Sequence, residues 1–226
     1  MINIKFIDLG LKDYKETWDY QEVLLEELQL IKRAGSENNF GGYLLFVEHP
    51  HVFTLGKSGQ KSNLLISETL MQQLGASFYH INRGGDITYH GPGQMVVYPI
   101  INLETFNLGI REYIEKLEDV VINSLSQWKV KAGRQYGATG IWLDVQTPAA
   151  RKICAIGVRV SRFITMHGFA FNINTNLNYY SYINPCGFQD KGVTSLSKEL
   201  NRTIDFHGAE QIVKEKFSEV FKMNLI

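Results

Sequence analysis

Apolar residues recur along the chain with two periods, one typical of helices and one typical of buried strands. Near the N-terminus, residues spaced alternately by four and three positions are Tyr14, Trp18, Gln21, Leu25 and Leu28. This spacing places them on one face of a helix over about 12–34. The same periodicity predicts a second long helix from Ile110 to about Trp128, and a third through Ala209 and Val220.

Between these helices lie short apolar runs that glycine, proline and polar residues separate. Residues 43–47 are apolar at every position, which is typical of a strand buried on both faces. We expect strands at 3–9, 43–47, 52–55, 78–82, 94–101, 140–144, 152–160 and 168–174, with a short helix over 67–74. Segment 175–191 is polar, aromatic and irregular. The pattern predicts one α/β domain of the α+β type over 1–226, with a central mixed β-sheet flanked by helices.

Composition narrows the classes of function. Apolar residues make up 44% and charged residues 20%, as in ordinary globular proteins. The 23 basic and 23 acidic residues cancel, which argues against binding to nucleic acid or to a membrane surface. The N-terminus lacks the pattern of a signal peptide, and no apolar run approaches the roughly 20 residues that cross a bilayer. Two cysteines are too few for a disulfide scaffold, so we expect a cytoplasmic protein.

One glycine-rich segment, RGGDITYHGPGQ at 83–94, has the composition of a ligand-binding loop. Glycine lets a backbone approach a ligand closely, and Pro92 stiffens the segment. Arg83, Asp86 and His90 supply polar groups at fixed offsets, unlike a flexible linker. A tight turn between two strands explains the same residues equally well.

Two cysteines and one lysine are candidates for chemistry. Cys186 lies between Pro185 and Gly187 in the irregular segment, where a loop can present a nucleophilic sulfur. Cys154 lies in an apolar strand and is interpreted as a small buried residue, although its strand parity matches that of Lys152. Lys152 opens the same strand and is either a pocket lysine with a lowered pKa or a solvated strand end.

The histidines carry no decisive pattern by themselves. His90 and His167 each precede a glycine, and each could be an acid or base, a hydrogen-bonding support for a ligand, or part of a turn. His49 and His51 could face one metal ion, but no further ligands lie at suitable spacing, so a polar turn is favoured and no metal site is expected. Phosphate-loop and Gly-x-Ser-x-Gly motifs are absent.

Four motifs in order carry a family resemblance: RGGDITYHGPGQ at 83–94, KICAIG at 152–157, HGFAFN at 167–172 and PCG at 185–187. Together they closely resemble the lipoyl(octanoyl) transferases of lipoate biosynthesis. The resemblance implies the fold of biotin and lipoate protein ligase catalytic domains. It implies transfer of an octanoyl group from octanoyl-acyl carrier protein to a lysine of lipoyl domains of 2-oxo acid dehydrogenases or of the glycine-cleavage H protein. No cofactor is needed, because a thioester donor is already activated.

The resemblance also assigns roles to residues. Cys186 becomes the acyl-accepting nucleophile, which forms an acyl-enzyme thioester, and Lys152 becomes its acid and base. His167 becomes a supporting residue. The acyl site is lined by Arg83, Gly84, Gly85, Asp86, Ile87, Thr88, Tyr89, His90, Ala155, Ile156, Gly157, Gly168, Phe169 and Ala170. Cys154 departs from the alanine usual in the family, and we hypothesise an oxidation-sensitive thiol able to bridge to Cys186.

Other functions use parts of the same pattern. An ATP-dependent lipoate or biotin protein ligase would also need a glycine-rich loop and a lysine such as Lys152, but not the cysteine at 186. An octanoyl amidotransferase between lipoyl-bearing proteins would use the same thiol chemistry from an octanoyl-lysine donor. A third alternative is an inactive scaffold that only binds acyl carrier protein or lipoyl domains.

Overall fold

The computed structural model describes residues 1–36, 38–184 and 192–226. Its strands are β1 (Ile2–Leu11), β2 (Phe40–Glu48), β3 (Val52–Leu55), β4 (Ser77–His80), β5 (Ile87–His90), β6 (Gln94–Ile101), β7 (Gly133–Gln135), β8 (Ala138–Leu143), β9 (Arg151–Ser161), β10 (Ile164–Asn172), β11 (Gly192–Val193) and β12 (Met223–Leu225). Its α-helices are α1 (Tyr14–Arg33), α2 (Glu68–Gln73), α3 (Ile110–Gln127), α4 (Leu196–Leu200) and α5 (Phe206–Phe221). Short 3₁₀ helices span Lys61–Asn63 and Leu177–Tyr182.

Nine of the described strands form one central sheet. Eight follow the order β12-β1-β2-β6-β10-β9-β8-β7, and β11 pairs with β9 on the edge opposite β8. The pairs of β1 with β12 and β2 are parallel, as is β11 with β9, whereas β2, β6, β10, β9, β8 and β7 pair antiparallel in succession. A mixed sheet with helices on both faces confirms the predicted fold class.

Helix α1 covers one face of the sheet. It begins where the side chain of Asp13 accepts hydrogen bonds from the backbone N–H groups of Lys15 and Glu16, at 2.7 and 3.1 Å. Such a cap satisfies donors that the first helical turn leaves without partners. Leu25 and Leu28 of its predicted apolar face pack with Leu45 and other buried residues of the sheet.

Helices α3 and α5 cover the opposite face. Leu117 of α3 and Val213 and Phe217 of α5 share a core cluster with Phe46 and Phe169 of the sheet. The sheet is therefore buried on both sides, which explains the uninterrupted apolar run of β2. No helix in the described part of the chain combines the length and apolarity that a membrane-spanning segment needs.

A second, smaller sheet has the order β4-β3-β5. Its strand β5 lies inside the glycine-rich segment and pairs antiparallel with β3. Residues 83–86 form a loop, as the first interpretation has it, but residues 87–90 form a strand that neither interpretation included. Strands β7, β11 and β12 and helix α4 were not predicted, because two to five residues are too few to display a period.

Candidate functional site

A cavity of about 460 Å³ lies on the α1 side of the central sheet, over β9, β10 and β6. The sheet register places Ala155 opposite Ala170 and Gly157 opposite Gly168 in its floor. Val96 and Tyr98 of β6 lie next to this floor, on the far side of β10. The floor is a strip of small side chains that crosses the strands.

The loop 83–86 rests on β9 at the edge of this floor. The N–H of Gly84 donates to the carbonyl of Val158 at 2.9 Å, and the carbonyls of Arg83 and Gly85 accept from Lys57 and Ser58 at 3.0 and 3.1 Å. A Cβ added at Gly157 would lie 2.9 Å from the carbonyl oxygen of Gly84. Glycine is therefore required at 157 because the loop backbone lies directly on it.

Arg83 orders the polar groups behind the loop. The residue is 8% exposed, and its Nη2 donates to the carbonyl and hydroxyl oxygens of Thr54 at 2.8 and 2.9 Å. The Thr54 hydroxyl can then donate to His90 Nε2 at 3.4 Å, and His90 Nδ1 donates to Gln94 Oε1 at 2.8 Å. Burial, together with nearby His49 and Arg83, holds the pKa of His90 well below its usual value. His90 is thus a neutral orienting group.

Four aromatic rings at the β6 end of the cavity form what we call the ring cluster: Tyr14, His49, His90 and Tyr98. His49 Nδ1 must donate to the carbonyl of Lys12, at 2.8 Å, so its Nε2 accepts from the Tyr98 hydroxyl at 2.9 Å. Burial lowers the pKa of His49 to about 4. The turn predicted at 49–51 connects β2 to β3, but the His49 side chain is fully buried in it.

His167 is a second neutral histidine in the cavity wall. Its φ of 60° is unusual for a residue other than glycine within a strand. Its Nε2 donates to Asn82 Oδ1 at 3.0 Å, while Nδ1 has no hydrogen-bond partner among the described residues. Burial, followed by the charges of Arg83 and Arg159, lowers its pKa to about 3. This makes His167 unsuited to proton transfer near neutral pH.

Lys152 lies at the other end of the cavity, where its Nζ is 4.7 Å from the centroid of the Trp142 ring. The register of β9 with β8 shifts here, so that Ile141 pairs with Cys154 but Trp142 pairs with Lys152. One residue, Ile153, is thus bulged out. Paired residues share a face, so Lys152 faces the cavity and Cys154 faces the opposite side.

Cys154 is fully buried in the core beneath α3 and α5. Its interpretation as a small buried residue is confirmed, whereas the parity shared with Lys152 is wrong because of the bulge. Burial raises the pKa of its thiol well above the usual value, which leaves little reactive thiolate. Its proposed partner Cys186 lies outside the described residues, so the disulfide stays a prediction.

The structure brings most of the residues assigned by resemblance to this cavity. Those that line it are Arg83, Gly85, Asp86, Ile87, Thr88, His90, Lys152, Ala155, Ile156, Gly157, His167, Gly168, Phe169 and Ala170. Gly84 and Tyr89 are placed elsewhere. Gly84, within the loop, hydrogen-bonds to Val158, and Tyr89 is fully buried in the core of the small sheet, where its hydroxyl hydrogen-bonds to His51 Nδ1 at 2.8 Å.

Sequence reasoning missed several lining residues. These are Tyr14, Val96, Tyr98, Gly137, Ala138, Thr139, Trp142, Asn172, Tyr180, Gly192 and Val193. Tyr98 and Asn172 lie within or beside the recognised motifs, and this proximity was the available signal. Among the described residues, no group of three or more His, Cys, Asp and Glu side chains is placed to hold a metal ion.

The chain resembles known proteins along nearly its whole length. Residues 13–218 match the family described as the lipoyl protein ligase A/B catalytic domain. An octanoyltransferase of Christiangramia forsetii is 53% identical, covering 96% of this chain and 95% of the relative. One of Parabacteroides distasonis is 52% identical, covering 98% of this chain and 100% of the relative.

Solved structures support the same fold at low sequence identity. A putative lipoate protein ligase of Thermoplasma acidophilum with bound lipoic acid has a TM-score of 0.71 at 14% identity, covering 100% of this chain and 88% of that chain. A biotin protein ligase of Aquifex aeolicus in complex with biotin and ATP has a TM-score of 0.55 at 14% identity, covering 96% of this chain and 70% of that chain. These likenesses confirm the expected fold.

Proposed function

Since the chain belongs to the lipoyl protein ligase A/B catalytic family, and its relatives at about 50% identity are octanoyltransferases, we propose that it takes an octanoyl group from octanoyl-acyl carrier protein. The group passes through a thioester on Cys186 to a lysine of a lipoyl domain. Lipoyl domains of 2-oxo acid dehydrogenases and the glycine-cleavage H protein are the acceptors. This is the first step of endogenous protein lipoylation.

The observation that carries the proposal is a lysine at one end of a slot floored by small residues. Ala155, Gly157, Gly168 and Ala170 leave a shallow strip between bulkier side chains, which suits an unbranched alkyl chain. Burial of each methylene contributes about 0.8 kcal/mol of binding. Lys152 at the β9 end then stands where the acyl carbonyl would react.

The described residues on either side of the segment that contains Cys186 are fixed by backbone hydrogen bonds. Asn184 donates its N–H to the carbonyl of Asn63 at 2.8 Å, and Thr194 donates to the carbonyl of Lys152 at 2.9 Å. Gly192 and Val193 line the cavity. Cys186 itself lies outside the described residues, two positions after Asn184 and six before Gly192, and the proposal takes its sulfur to act beside Lys152.

Lys152 moves the protons in both half-reactions. Its neutral amine takes the proton of the Cys186 thiol, and the thiolate attacks the carbonyl carbon of the donor thioester. The carbon–sulfur bond to the carrier breaks, and the Lys152 ammonium protonates the departing thiolate. In the second half-reaction the acceptor lysine attacks the new thioester, loses its proton to Lys152 and releases the Cys186 thiolate.

Both tetrahedral intermediates need donors for their oxyanion, and we expect these around Gly187 and residues 155–157. Ile156 is the strongest candidate in β9. Val158 directs its carbonyl away from β10 toward Gly84, and backbone groups alternate along a strand, so the N–H of Ile156 points to the same outer side. Ile156 also lines the cavity. One such donor contributes about 3 kcal/mol in comparable acyl transfers.

The test is the intact mass of the protein after incubation with octanoyl-acyl carrier protein and no ATP. We expect a gain of one octanoyl group that disappears when a lipoyl domain is added, with the acceptor gaining the same mass. Cys186→Ser should abolish the acyl-enzyme, and Cys154→Ser, which removes the buried thiol, should retain it. Transfer that requires ATP and free octanoate would establish a ligase instead, and transfer from an octanoylated lipoyl protein alone would establish an amidotransferase.

A further inference from the structure

The part of the cavity lining that the central sheet supplies ends at β6. It includes residues of β9, β10 and β6, but none of β2 in the described structure. On the next strand, β2, Leu45 pairs with Tyr98 and Val47 pairs with Val96. Leu45 and Val47 are both buried. The slot therefore crosses three neighbouring strands and stops at the third.

The distance across these strands is comparable with the length of the proposed acyl group. Neighbouring strands lie about 4.8 Å apart, so the path from β9 to β6 is about 10 Å. A zigzag of carbon–carbon bonds of about 1.5 Å at tetrahedral angles advances about 1.25 Å per bond, so an extended octanoyl chain measures about 9 Å. The path is oblique, because the register places Val96 level with Ala155, three residues along β9 from Lys152. The Lys152 side chain reaches along the strand toward Gly140, where a Cβ would lie 3.5 Å from its Cε, and the Tyr98 ring leans back toward His49. An acyl chain with its carbonyl at the Lys152 amine therefore points toward Val96 and the Tyr98 ring.

Tyr98 is held rigidly at that end. It is 3% exposed, and its hydroxyl donates to His49 Nε2 at 2.9 Å. His49 is in turn fixed by the carbonyl of Lys12, just before α1. Turning the Tyr98 ring aside would leave two buried polar atoms without partners, which is costly in a protein interior. The hydroxyl is engaged by His49, so what Tyr98 offers to the slot is its carbon ring.

We infer that Tyr98, fixed by its hydrogen bond to His49, is the end wall of the acyl slot and sets the upper limit of acyl-chain length. The inference rests on the proposed function, since it takes the carbonyl end to be at Lys152. Chains that end before the ring fit in the slot. Longer chains must displace the ring and break its hydrogen bond, so specificity is for medium-length acyl groups with a sharp decline above octanoyl.

The experiment compares kcat/KM for hexanoyl, octanoyl, decanoyl and dodecanoyl carrier-protein donors. Tyr98→Leu should raise the ratio of decanoyl to octanoyl transfer by about tenfold or more, since discrimination by one or two methylenes is of this order. Tyr98→Phe keeps the ring but frees it from His49, so the ratio should rise by a smaller factor. Ala170→Val, which narrows the floor at β10, should shift preference toward hexanoyl.

Tyr43→Leu is the matched control. Tyr43 is a buried tyrosine of β2 in the same α1-side cluster, but it does not line the cavity. Its replacement should leave the chain-length ratio unchanged. An unchanged ratio in both Tyr98→Leu and Tyr98→Phe would overturn the inference.

Calorimetric binding of free octanoate, decanoate and dodecanoate to the unacylated protein separates this inference from the proposed function. If wild-type protein transfers no octanoyl group, the proposed function fails, yet a preference for octanoate that Tyr98→Leu moves to longer acids still supports the end wall. Equal binding of all three acids by the wild-type protein contradicts the end wall whatever the outcome of the transfer assay.

Discussion

At the scale of single residues, the bulge at Ile153 decides what Lys152 can do. Regular alternation would have placed Lys152 and Cys154 on the same face, either both in the core or both in the cavity. Because of the shift in register, the Lys152 amine faces the cavity and the Cys154 thiol faces the core. A bulge of this kind re-aims one side chain without interrupting the strand.

Replacement of Lys152 by Met tests this arrangement. Met keeps an unbranched apolar stem beside Trp142 but cannot carry a proton. We expect acyl transfer to fall by about 10² to 10⁴, the usual contribution of a positioned acid or base. The pH–rate profile should also lose the limb that Lys152 supplies.

The matched control is Lys131→Met, which changes an exposed lysine. That variant should keep the wild-type rate and profile. If Lys152→Met retained an unchanged pH–rate profile, Lys152 would not be the group that moves protons.

The sequence predicted which residues carry reactive groups, but it did not predict the contacts that surround them. Lys152, His90 and His167 could be singled out because charged and imidazole groups in apolar or glycine-rich context are rare. The bulge could not be foreseen, because it depends on how β8 pairs with β9. The neutral state of the histidines also depends on tertiary burial, as does the hydrogen bond between His49 and Tyr98.

At the scale of elements, a partly exposed ion pair holds β11 and α4 next to the site. Arg151 of β9 donates from Nε and Nη2 to the carboxylate of Glu199 in α4, at 2.7 and 2.6 Å. The same carboxylate accepts from the Thr194 hydroxyl. Strand β11 pairs with β9 at Arg151 and Lys152. The ion pair between Arg151 and Glu199 therefore holds in place the strand β11, whose two residues line the cavity.

Glu199→Gln should destabilise the protein in a pH-dependent manner. The hydrogen bonds from Arg151 lower the pKa of Glu199 below its usual 4.5. A lowered folded-state pKa gives stability that is present above about pH 4.5 and is lost as the pH falls through the lower folded value. We expect the variant to lose about 1 kcal/mol of unfolding free energy at pH 7, since the pair is partly exposed to solvent.

The measurement is urea unfolding of both proteins at pH 7 and at several values below 4.5. The difference between them should shrink as the pH falls. Glu215→Gln, an exposed glutamate of α5, is the control and should match wild type throughout. A difference that stayed constant down to acidic pH would show that the charge of Glu199 is not the source.

At the scale of the whole molecule, the long helices and central strands followed from periodicity because each buries a face against the sheet. The strand order could not be read from the chain. It brings β6, near the middle of the sequence, beside β10, so that Val96 and Tyr98 lie at the end of a floor formed by residues of β9 and β10. The family resemblance supplied the fold, while the contacts that form the end of the slot required the structure.

The same strand order places β12 far from the cavity, so its residues contribute to stability and not to the site. Strand β12 is at one edge, five strand intervals from β9, or about 24 Å. Met223 of β12 is 4% exposed in the core with Phe217 and Phe221.

Met223→Ala should therefore cost about 2–5 kcal/mol of unfolding free energy by leaving a cavity. At a temperature where the variant is folded, kcat and chain-length preference should match wild type, because no residue of β12 contacts the site in the described structure. Asn224→Ala, at the exposed neighbouring position, should change neither stability by more than about 0.5 kcal/mol nor activity. A loss of kcat in folded Met223→Ala would instead reveal coupling across the sheet, and would contradict the independence of this edge from the acyl slot.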